Sequence, residues 1–577
     1  MISDEDKNLL YALTLDNAIK YGGKPNKGSV IGKFVYLKPN YKSKIKGIIP
    51  LIDQIIREIS KLPLEKQKEL FKEYQHLIPK KEKAKEEIAL PPLPKAKKGH
   101  VVTRFAPNPD FVLHLGSVRP LLLSYLYARK YDGKFILRFE DTDPRLKRPK
   151  PEYYKLIIDD IKWLGITPDE IYYQSDRLEI YYKIARELIK RGSAYVCTCN
   201  RNYFSQLVKQ GIPCPHRKYS VNENMELFDK MLNGEFEEGK AVLRIKTTLN
   251  HPNPSVREWP ALRIINTKKY PHPRVGDRYI VWPLYNFSCA IDDHLMGVTH
   301  VIRGAEHVVN EEKQKYIYQY MNWDPPVAIH HGRVAIPGGI LSKSKILSGI
   351  KSGAFSGIDD PQLATLVALR RRGFSPEAIK RVIMRGGIKA AQTTIDWSLL
   401  AAENRSVIDK IANRYFGVLK PVKLKFKYST PLHIKIRKHP DYPEKGYREI
   451  TLSPVDGEVE VFIDLNDIGS IRDKGEFRLL AIGNFSLLDV RSDVILAKYV
   501  DNDINRAKER KIPFIHWVSV KQNVNLKIIY PGYTTKGIGE HNILNEAAGN
   551  IIQLERVGFF KIEDIKDGEI TLIYTHD

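Results

Sequence analysis

Cysteine is scarce in this sequence, since 577 residues contain only Cys197, Cys199, Cys214 and Cys289. Four thiols are too few to hold a secreted disulfide scaffold together. Long apolar runs are also missing, because no stretch reaches the roughly 18 residues that a bilayer span requires. The first residues, MISDEDKNLL, are acidic and contain no apolar h-region, so they do not indicate a signal peptide. We expect a cytoplasmic protein without membrane contact.

Positive charge is in excess along the chain. It carries 93 Lys and Arg against 68 Asp and Glu, a formal net charge of +25. Such an excess attracts polyanions, and nucleic acid is the first candidate partner because bound phosphates release counterions. A solvated basic surface, of the kind that heat-loving hosts favour, is the alternative. At roughly 100–200 residues per domain, the length indicates about three to five domains.

The order of patterns divides the chain into seven predicted segments. Apolar residues at helical spacing indicate an N-terminal helical domain, and a charged, Pro-rich stretch after it indicates a linker. From His100, strand-like segments alternate with helical ones, which predicts a parallel sheet covered by helices, with Ser175 as the N-cap of one helix. The predicted boundaries are 1–79 for the helical domain, 80–99 for the linker, 100–192 and 263–345 for the halves of an α/β domain, 193–262 for an insertion, 346–420 for a helical connector and 421–577 for a β-rich region.

The segment RFAPNPDFVLHLGSVRP, residues 104–120, has the pattern of a phosphate-binding turn. A strand leads through a turn stiffened by Pro107 and Pro109 into a helix that begins near His114. Free N–H groups and the dipole at a helix start favour an anion, and Gly116 lets a ligand approach the backbone closely. We therefore expect His114 and Gly116 to contact a phosphate-bearing ligand.

At His114 and Gly116 this segment resembles HIGH, the first signature of the class I aminoacyl-tRNA synthetases. In ILSKSK, Ser342, Lys343 and Ser344 match that family's second signature, KMSKS. The two motifs occur in the family's order with a Cys-rich insertion between them, and the combination is far more specific than either motif alone.

Both signatures depart from the family pattern. Ser117 replaces the last histidine of HIGH, Ile340 replaces the first lysine of KMSKS, and Asp110-Phe111-Val112 occupies the place of the usual glycine before HIGH. A serine can still hydrogen-bond a nucleotide, so we interpret these as tolerated variants. They also keep open the hypothesis of a catalytically weakened paralogue.

Longer segments resemble the archaeal type of glutamyl-tRNA synthetase. They include LRFEDTDP, PLYNFSCAIDD, VIRGAEH and, near the C-terminus, IIQLERVGFFKIED. The resemblance implies a multidomain α/β protein, with a Rossmann-type parallel-sheet catalytic domain that carries an insertion, a helical connector and C-terminal β-barrel anticodon-binding domains.

The resemblance also implies an activity. L-glutamate would be activated by ATP with Mg²⁺ to glutamyl-adenylate and transferred to the 3′-terminal adenosine of tRNA(Glu), and such enzymes typically need bound tRNA even for the first step. A glutaminyl-tRNA synthetase is the nearest alternative enzyme, and a non-catalytic tRNA-binding paralogue is the alternative of a different class. Whether tRNA(Gln) is also charged stays open, and a monomer is expected.

Recognition of a substrate carboxylate calls for an arginine, which stays charged and pairs bidentately. The resemblance assigns Arg104, Glu140, Tyr285 and Arg303 to glutamate, with Glu140 receiving the ammonium group. The alternatives are a surface ion pair for Arg104 and a core aromatic role for Tyr285. Glutaminyl enzymes generally lack the IRG pattern around Arg303, which favours glutamate.

The resemblance assigns His114, Gly116, Ser117, Ser342, Lys343 and Ser344 to ATP. Of these, His114, Gly116, Ser117 and Lys343 form the predicted catalytic group. Adenylate formation needs charge stabilisation more than proton transfer, so Lys343 would contact the β- and γ-phosphates as charge develops.

Three cysteines and a histidine lie within twenty residues, at Cys197, Cys199, Cys214 and His216. Thiolates and an imidazole in a four-ligand set suit tetrahedral zinc, so we predict one structural Zn²⁺ in the insertion. Buried reduced cysteines beside a surface histidine are the alternative.

Transfer RNA is expected to contact three regions. The insertion would meet the acceptor stem, and the basic connector, with Arg370-Arg371-Arg372 and Lys380-Arg381, would meet backbone phosphates. The β-barrels would read the anticodon, because single-stranded loops offer unstacked bases.

Overall fold

The computed structural model describes residues 2–20, 22–38, 41, 44–78, 90–388, 390–491 and 494–577. The chain divides into two compact units, Met1–Ala89 and Leu90–Asp577. The first unit is helical, as the apolar spacing predicts, with a core of leucine, isoleucine and phenylalanine side chains. Its helices are α1 Asp4–Lys20, α2 Lys27–Leu37, α3 Ile45–Ser60 and α4 Leu64–Tyr74. None of the helices in the described ranges combines the length and the apolar content that a bilayer crossing needs.

The second unit begins with alternating strands and helices. They are β1 Val102–Phe105, α5 Leu115–Lys130, β2 Lys134–Phe139, α6 Pro151–Trp163, β3 Glu170–Tyr173 and α7 Leu178–Lys190. An inserted region follows, with β4 Ala194–Cys197, α8 Arg201–Gln210, α9 Val221–Leu232, β5 Val242–Ile245, β6 Pro260–Ile264 and β7 Val281–Pro283. The alternation then resumes with α10 Tyr285–Leu295, β8 His300–Gly304, α11 Val308–Met321 and β9 Val327–His331.

Within the described residues, five strands form one parallel sheet in the order β3-β2-β1-β8-β9. The chain builds outward from β1 to β3 and then returns to the other side of β1 with β8. The strand order therefore reverses between β1 and β8. Ligands of open α/β sheets bind at such a reversal, beyond the carboxyl ends of the strands.

The inserted region forms an antiparallel sheet of its own, in the order β4-β5-β6-β7. The boundary predicted at residue 262 falls inside β6, and the sheet continues to Pro283. Because β7 ends two residues before α10 begins at Tyr285, this sheet leads directly back to the parallel sheet.

Helices predominate between residues 334 and 408, a region that overlaps the segment 346–420 predicted as a helical connector. The region comprises β10 Val334–Ala335, α12 Lys343–Lys351, α13 Leu366–Arg371, α14 Pro376–Arg385, β11 Thr393–Thr394 and α15 Trp397–Ile408. Arg372, at the end of α13, is 6% exposed, and its guanidinium donates to the carbonyls of Pro361, Tyr574 and Thr575. The expectation that Arg372 meets tRNA phosphates is therefore wrong, because its hydrogen bonds join the connector to the C-terminal strands.

The remainder of the chain is β-rich, as its alternating patterns predict. Its elements are β12 Asn413–Tyr415, β13 Gly417–Val418, β14 Pro421–Lys427, β15 Leu432–Arg437, β16 Tyr447–Leu452, β17 Glu458–Asp464, α16 Ile468–Lys474, β18 Glu476–Leu479, β19 Gly483–Val490, β20 Val494–Asp501, α17 Ile504–Glu509, β21 Phe514–Ile515, β22 Val518–Ser519, β23 Asn523–Tyr530, β24 Tyr533–Glu540, β25 Ile551–Leu554, β26 Gly558–Lys566 and β27 Glu569–His576. In the described part of the chain they form two seven-stranded, barrel-like sheets, ordered β12-β25-β26-β27-β23-β24-β13 and β21-β18-β19-β20-β14-β17-β22, and the hairpin β15-β16.

Two local expectations need correction. Part of the predicted linker, residues 80–89, lies outside the described residues, but from Leu90 the chain packs on the parallel-sheet core, where Leu93 is 5% exposed. Ser175 does not cap α7, which begins at Leu178. Instead the backbone N–H and the hydroxyl of Ser175 both donate to the buried carboxylate of Asp141. A tertiary hydrogen bond has replaced the local cap.

Arg119 joins α5 to the connector. Its guanidinium is 1% exposed and donates to the carbonyls of Gly332 at 2.8 Å, Gly386 at 3.0 Å and Gly387 at 2.9 Å. We expect Arg119→Met to lower the free energy of unfolding by about 3 kcal/mol or more, because it leaves buried carbonyls unpaired. Calorimetric unfolding of the full chain measures this effect.

Arg129, on the same helix, provides the matched control. It is paired with Asp169 at 3.0 Å, but its side chain is 37% exposed. Surface ion pairs contribute about 1 kcal/mol or less, so Arg129→Met should have a much smaller effect. Equal losses in the two variants would contradict a structural role for the buried guanidinium.

Candidate active site

A cavity of about 820 Å³ opens at the carboxyl ends of β1 and β8, at the reversal of strand order. Its walls come from the end of β1, the start of α5, the residues after β2, the start of α10 and the end of β8. Seven predicted site residues line it, namely Arg104, His114, Gly116, Ser117, Glu140, Tyr285 and Arg303. The fold has thus brought residues from distant parts of the sequence to one cavity.

The start of α5 presents the first signature to this cavity. His114 is the N-cap residue, and its backbone N–H donates to the Ser117 hydroxyl at 3.4 Å. Burial lowers the pKa of the His114 imidazole, whose buried Nδ1 has no hydrogen-bond partner among the described residues. A Cβ on residue 116 would lie only 3.0 Å from the imidazole ring of His114, so a glycine at this position leaves room for the ring. Pro120 stands in the second turn of α5 and has no N–H to donate to the Gly116 carbonyl.

The second signature lies next to the first. Leu341 lines the cavity, and Ser342 and Lys343 follow it at the start of α12. The Lys343 ammonium forms an ion pair with Asp110, with 2.6 Å between Nζ and Oδ2. Ser342 and Ser344 are exposed, and their hydroxyls are 3.1 Å apart. Lys343 thus lies against the segment that precedes the first signature rather than on the cavity wall.

Apolar contacts hold the two signatures together. Phe111 and Val112, which occupy the place of the family's usual glycine, belong to one buried cluster with Ile346 of α12 and Leu363 of the connector. This packing, together with the ion pair of Asp110, gives a physical reason for the departure from the family pattern: the segment docks the loop of the second signature.

The end of the cavity at Arg104 and Glu140 is built on buried charges. Arg104 is 5% exposed and is paired with Asp293, so the alternative of a surface ion pair for Arg104 does not hold. Glu140 accepts a hydrogen bond from the Cys289 thiol at 2.9 Å. Neither Asp293 nor Cys289 is among the site residues predicted from the sequence. The available signal was a pair of adjacent acidic residues, Asp292 and Asp293, in a helix whose other residues carry no carboxylate.

Arg303 and Tyr285 line the same cavity. Arg303 is 6% exposed and its Nη1 donates to Gln314 at 3.1 Å, whereas its buried Nε has no hydrogen-bond partner among the described residues. The Tyr285 ring lies 5.5 Å from the ring of His307, which also lines the cavity and was not identified from the sequence. Burial and then Arg303 lower the pKa of His307 to about 4, so this imidazole is neutral near pH 7.

The cavity has an excess of positive charge. Its lining includes five basic residues, Arg104, Lys147, Arg263, Arg303 and Arg333, against three acidic ones, Glu140, Asp143 and Glu306. Such a lining suits ligands with net negative charge.

The predicted metal ligands also lie together. Cys197, Cys199, Cys214 and His216 offer ligand atoms that are all within 4.8 Å of one another. The Sγ of Cys214 is 3.6 Å from that of Cys197, 3.4 Å from that of Cys199 and 3.3 Å from Nδ1 of His216. The other ring nitrogen of His216, Nε2, lies 2.8 Å from the Thr198 hydroxyl. These four residues could hold a metal ion.

Comparison with known proteins identifies the family. The model of the class I (E and Q) tRNA synthetase catalytic domain matches residues 100–410, and models of that family's anticodon-binding domain match residues 412–502 and 514–563. The chain therefore belongs to the class I tRNA synthetases of the glutamate and glutamine type.

Curated relatives match over nearly the full length. The glutamate--tRNA ligase of Pyrococcus furiosus is 48% identical and covers 99% of this chain and 100% of its own. The glutamate--tRNA ligase of Pyrococcus abyssi is 49% identical and covers 98% and 99%. A solved glutamate tRNA ligase from Elizabethkingia meningosepticum is 23% identical, covers 54% of this chain and 70% of its own, and has a TM-score of 0.39.

Proposed function

We propose that this chain is a glutamate--tRNA ligase that activates L-glutamate with ATP and transfers it to the 3′-terminal adenosine of tRNA(Glu) for protein synthesis. The observation that carries the proposal is a single cavity, rich in positive charge, lined by Arg104, Tyr285 and Arg303 together with the start of α5. Glutamate and ATP are both anionic, so this lining suits them better than it suits a neutral amino acid.

In this proposal the amino acid lies between Glu140 and two guanidinium groups. Glu140 receives the ammonium group, and Arg104, Arg303 and the Tyr285 hydroxyl hold the carboxylate of the side chain. Glutamine carries a neutral amide in place of the side-chain carboxylate. Bound glutamine would therefore leave a buried guanidinium without a negatively charged partner, and this cost lowers the affinity for glutamine relative to glutamate.

ATP is assigned to the start of α5 and to the second signature. His114, Gly116 and Ser117 would hold the phosphates and ribose, and Ser342, Lys343 and Ser344 would approach the β- and γ-phosphates. An oxygen of the substrate α-carboxylate attacks the α-phosphorus, a P–O bond forms to give the adenylate, and the bond to pyrophosphate breaks. Mg²⁺ bound to ATP would supply further charge neutralisation.

Transfer RNA is assigned by region. We propose that the inserted sheet meets the acceptor stem, that the connector meets the backbone and that the C-terminal sheets read the anticodon. The inserted sheet corresponds to the predicted segment 193–262, the connector to 346–420 and the C-terminal sheets to 421–577. The two halves of the catalytic domain correspond to 100–192 and 263–345. Cytoplasmic location, a monomeric state and charging of tRNA(Gln) stay predictions.

ATP–pyrophosphate exchange tests the proposal. Wild-type protein should show exchange that depends on glutamate and on tRNA, and glutamine should not support it. Exchange with glutamine alone would favour a glutaminyl-tRNA synthetase, and binding of tRNA without exchange would favour the weakened paralogue. Aminoacylation of purified tRNA(Glu) and tRNA(Gln) then tells which tRNA is charged.

We also propose that the Cys/His cluster holds one structural Zn²⁺. A tetrahedron with sulfurs about 2.3 Å from the metal brings them within about 3.8 Å of each other, close to the Sγ distances of Cys214. The donor set of three thiols and one imidazole is the chemistry that zinc prefers. Bound zinc would tie the end of β4 to the turn before α9.

Metal analysis tests the zinc site. Purified wild-type protein should contain one zinc per chain after dialysis against a weak chelator, and Cys214→Ser should lose it, with a lower unfolding temperature. Cys289→Ser is the matched control, because Cys289 lies outside the cluster and should leave the zinc content unchanged. Absence of stoichiometric zinc in the wild type would contradict the assignment.

A further inference from the structure

A chain of buried charges runs beneath the amino-acid end of the cavity. Asp293 accepts hydrogen bonds from Nε of Arg104 at 3.2 Å and from Nη1 of Arg138 at 2.7 Å. The other terminal nitrogen of Arg138 donates to Oε1 of Glu140 at 3.2 Å, and the Cys289 thiol donates to the same oxygen at 2.9 Å. The five residues thus form one connected network.

Only two of the five residues of this network reach the cavity. Arg104 and Glu140 line it, whereas Arg138, Asp293 and Cys289 lie behind the wall. The side chain of Arg138 is fully buried and that of Asp293 is 3% exposed. Residues so placed cannot touch a substrate directly, so any effect they have on the reaction passes through Arg104 and Glu140.

Because the network is buried, its hydrogen bonds hold the side chains in fixed orientations. In a site shielded from water, hydrogen bonds between charged groups are strong and directional, and loss of one partner leaves the other charge uncompensated. Burial alone would raise the pKa of Asp293, but Arg104 and Arg138 together hold it below its usual range. The carboxylate is therefore ionised near neutral pH and holds two guanidinium groups at once.

We propose that Asp293, with Arg138 as its bridge to Glu140, is the positioning residue of the amino-acid site. It fixes the guanidinium of Arg104 and the carboxylate of Glu140 at a set separation, so that the cation and the anion of the wall face the two charged ends of one substrate. This inference rests on the proposed function, because it needs an amino acid in the cavity.

The alternative is that Asp293 only stabilises the fold. Its neighbour Asp292 allows the two roles to be told apart. Asp292 is also fully buried on α10, but its carboxylate accepts from Gln174 at 2.9 Å, Arg177 at 2.8 Å and Tyr181 at 2.6 Å. It belongs to a different hydrogen-bond network, so loss of its charge costs stability without releasing Arg104.

The test measures the KM for glutamate and for ATP by ATP–pyrophosphate exchange in the presence of tRNA. In Asp293→Asn, the KM for glutamate should rise about tenfold or more, since hydrogen bonds to charged groups typically contribute a factor of that size. The KM for ATP should stay within about twofold of wild type, because the network does not reach the start of α5. Asp292→Asn should leave the KM for glutamate within about threefold of wild type, even if it lowers the unfolding temperature as much as Asp293→Asn does.

A second, milder variant keeps the proposal testable if Asp293→Asn does not fold. Cys289→Ala removes one donor to Glu140 and should raise the KM for glutamate about threefold, the usual size for a single hydrogen bond. In an Arg104→Lys background, Asp293→Asn should have much less additional effect, because the two side chains act as a unit.

The outcomes separate this inference from the proposed function. Unchanged KM for glutamate in Asp293→Asn and Cys289→Ala would overturn the positioning role while leaving the enzyme assignment intact. Equal rises in Asp292→Asn and Asp293→Asn would also overturn it. Absence of glutamate-dependent exchange in the wild type would overturn the proposed function, and the inference with it.

Discussion

Replacing Lys343 with alanine is expected to slow glutamate-dependent ATP–pyrophosphate exchange by about 100-fold or more, the usual loss when a positioned group no longer stabilises transition-state charge. Lys343 follows the cavity residue Leu341 and is held close to the first signature by its ion pair with Asp110. Its ammonium can exchange that carboxylate for the phosphates of ATP. The effect should appear in kcat rather than in the KM for glutamate.

The matched control is Lys345→Ala, because Lys345 is exposed on the same helix two residues further on. It removes the same charge from the same helix and should leave exchange within about threefold of wild type, as surface charges contribute little. Exchange within threefold of wild type in Lys343→Ala itself would show that Lys343 has no role in adenylate formation.

Replacing Arg303 with glutamine is expected to raise the KM for glutamate by about 100-fold, because the substrate carboxylate loses a charged hydrogen-bond donor in a buried site. Arg303 is 6% exposed and bonded to Gln314 by one terminal nitrogen, and its Nε has no hydrogen-bond partner among the described residues. Arg303→Gln should also reduce the ratio of the KM for glutamine to the KM for glutamate, because the substitution removes one positive charge from the cavity wall. Exchange assays with each amino acid measure both effects.

Arg333→Gln is the control for this prediction. Arg333 also lines the cavity, but its side chain is 72% exposed and lies 3.7 Å from Glu306. We expect its KM for glutamate to stay within about threefold, because an exposed charge is screened by solvent. A similar rise in both variants would mean that net charge, rather than a contact of Arg303, sets the affinity.

The main elements of the fold were predictable because their patterns are local. Apolar spacing indicated the N-terminal helices, and alternating short strands indicated the C-terminal sheets, where the structure has two seven-stranded sheets in its described part. The linker was less predictable. Its composition is charged and Pro-rich, but Leu93 is buried in the core that begins there, and composition does not report such packing.

Helix caps were predicted less well than helices. Ser175 has the residue type and the place of an N-cap, but the buried carboxylate of Asp141 accepts both of its hydrogen bonds. The basic surface of the connector was also predicted incompletely. Arg372 lies in a basic run typical of a phosphate-binding surface, but it is buried against carbonyls more than 200 residues away. For both Ser175 and Arg372, the side chain bonds to a partner that is distant in sequence, and a prediction from local sequence cannot identify such a partner.

The sequence by itself determined the class of chemistry. Two signatures in order, the Cys/His spacing and the excess of basic residues are properties of residue type and local spacing, and these are encoded directly. Tertiary structure alone decided how the charges are paired: Arg104 with Asp293 across 189 positions, Arg138 with Asp293 across 155, and Lys343 with Asp110 across 233. The reason is physical, since the strength of a charge pair depends on burial and on distance in space, and neither can be calculated from separation along the chain.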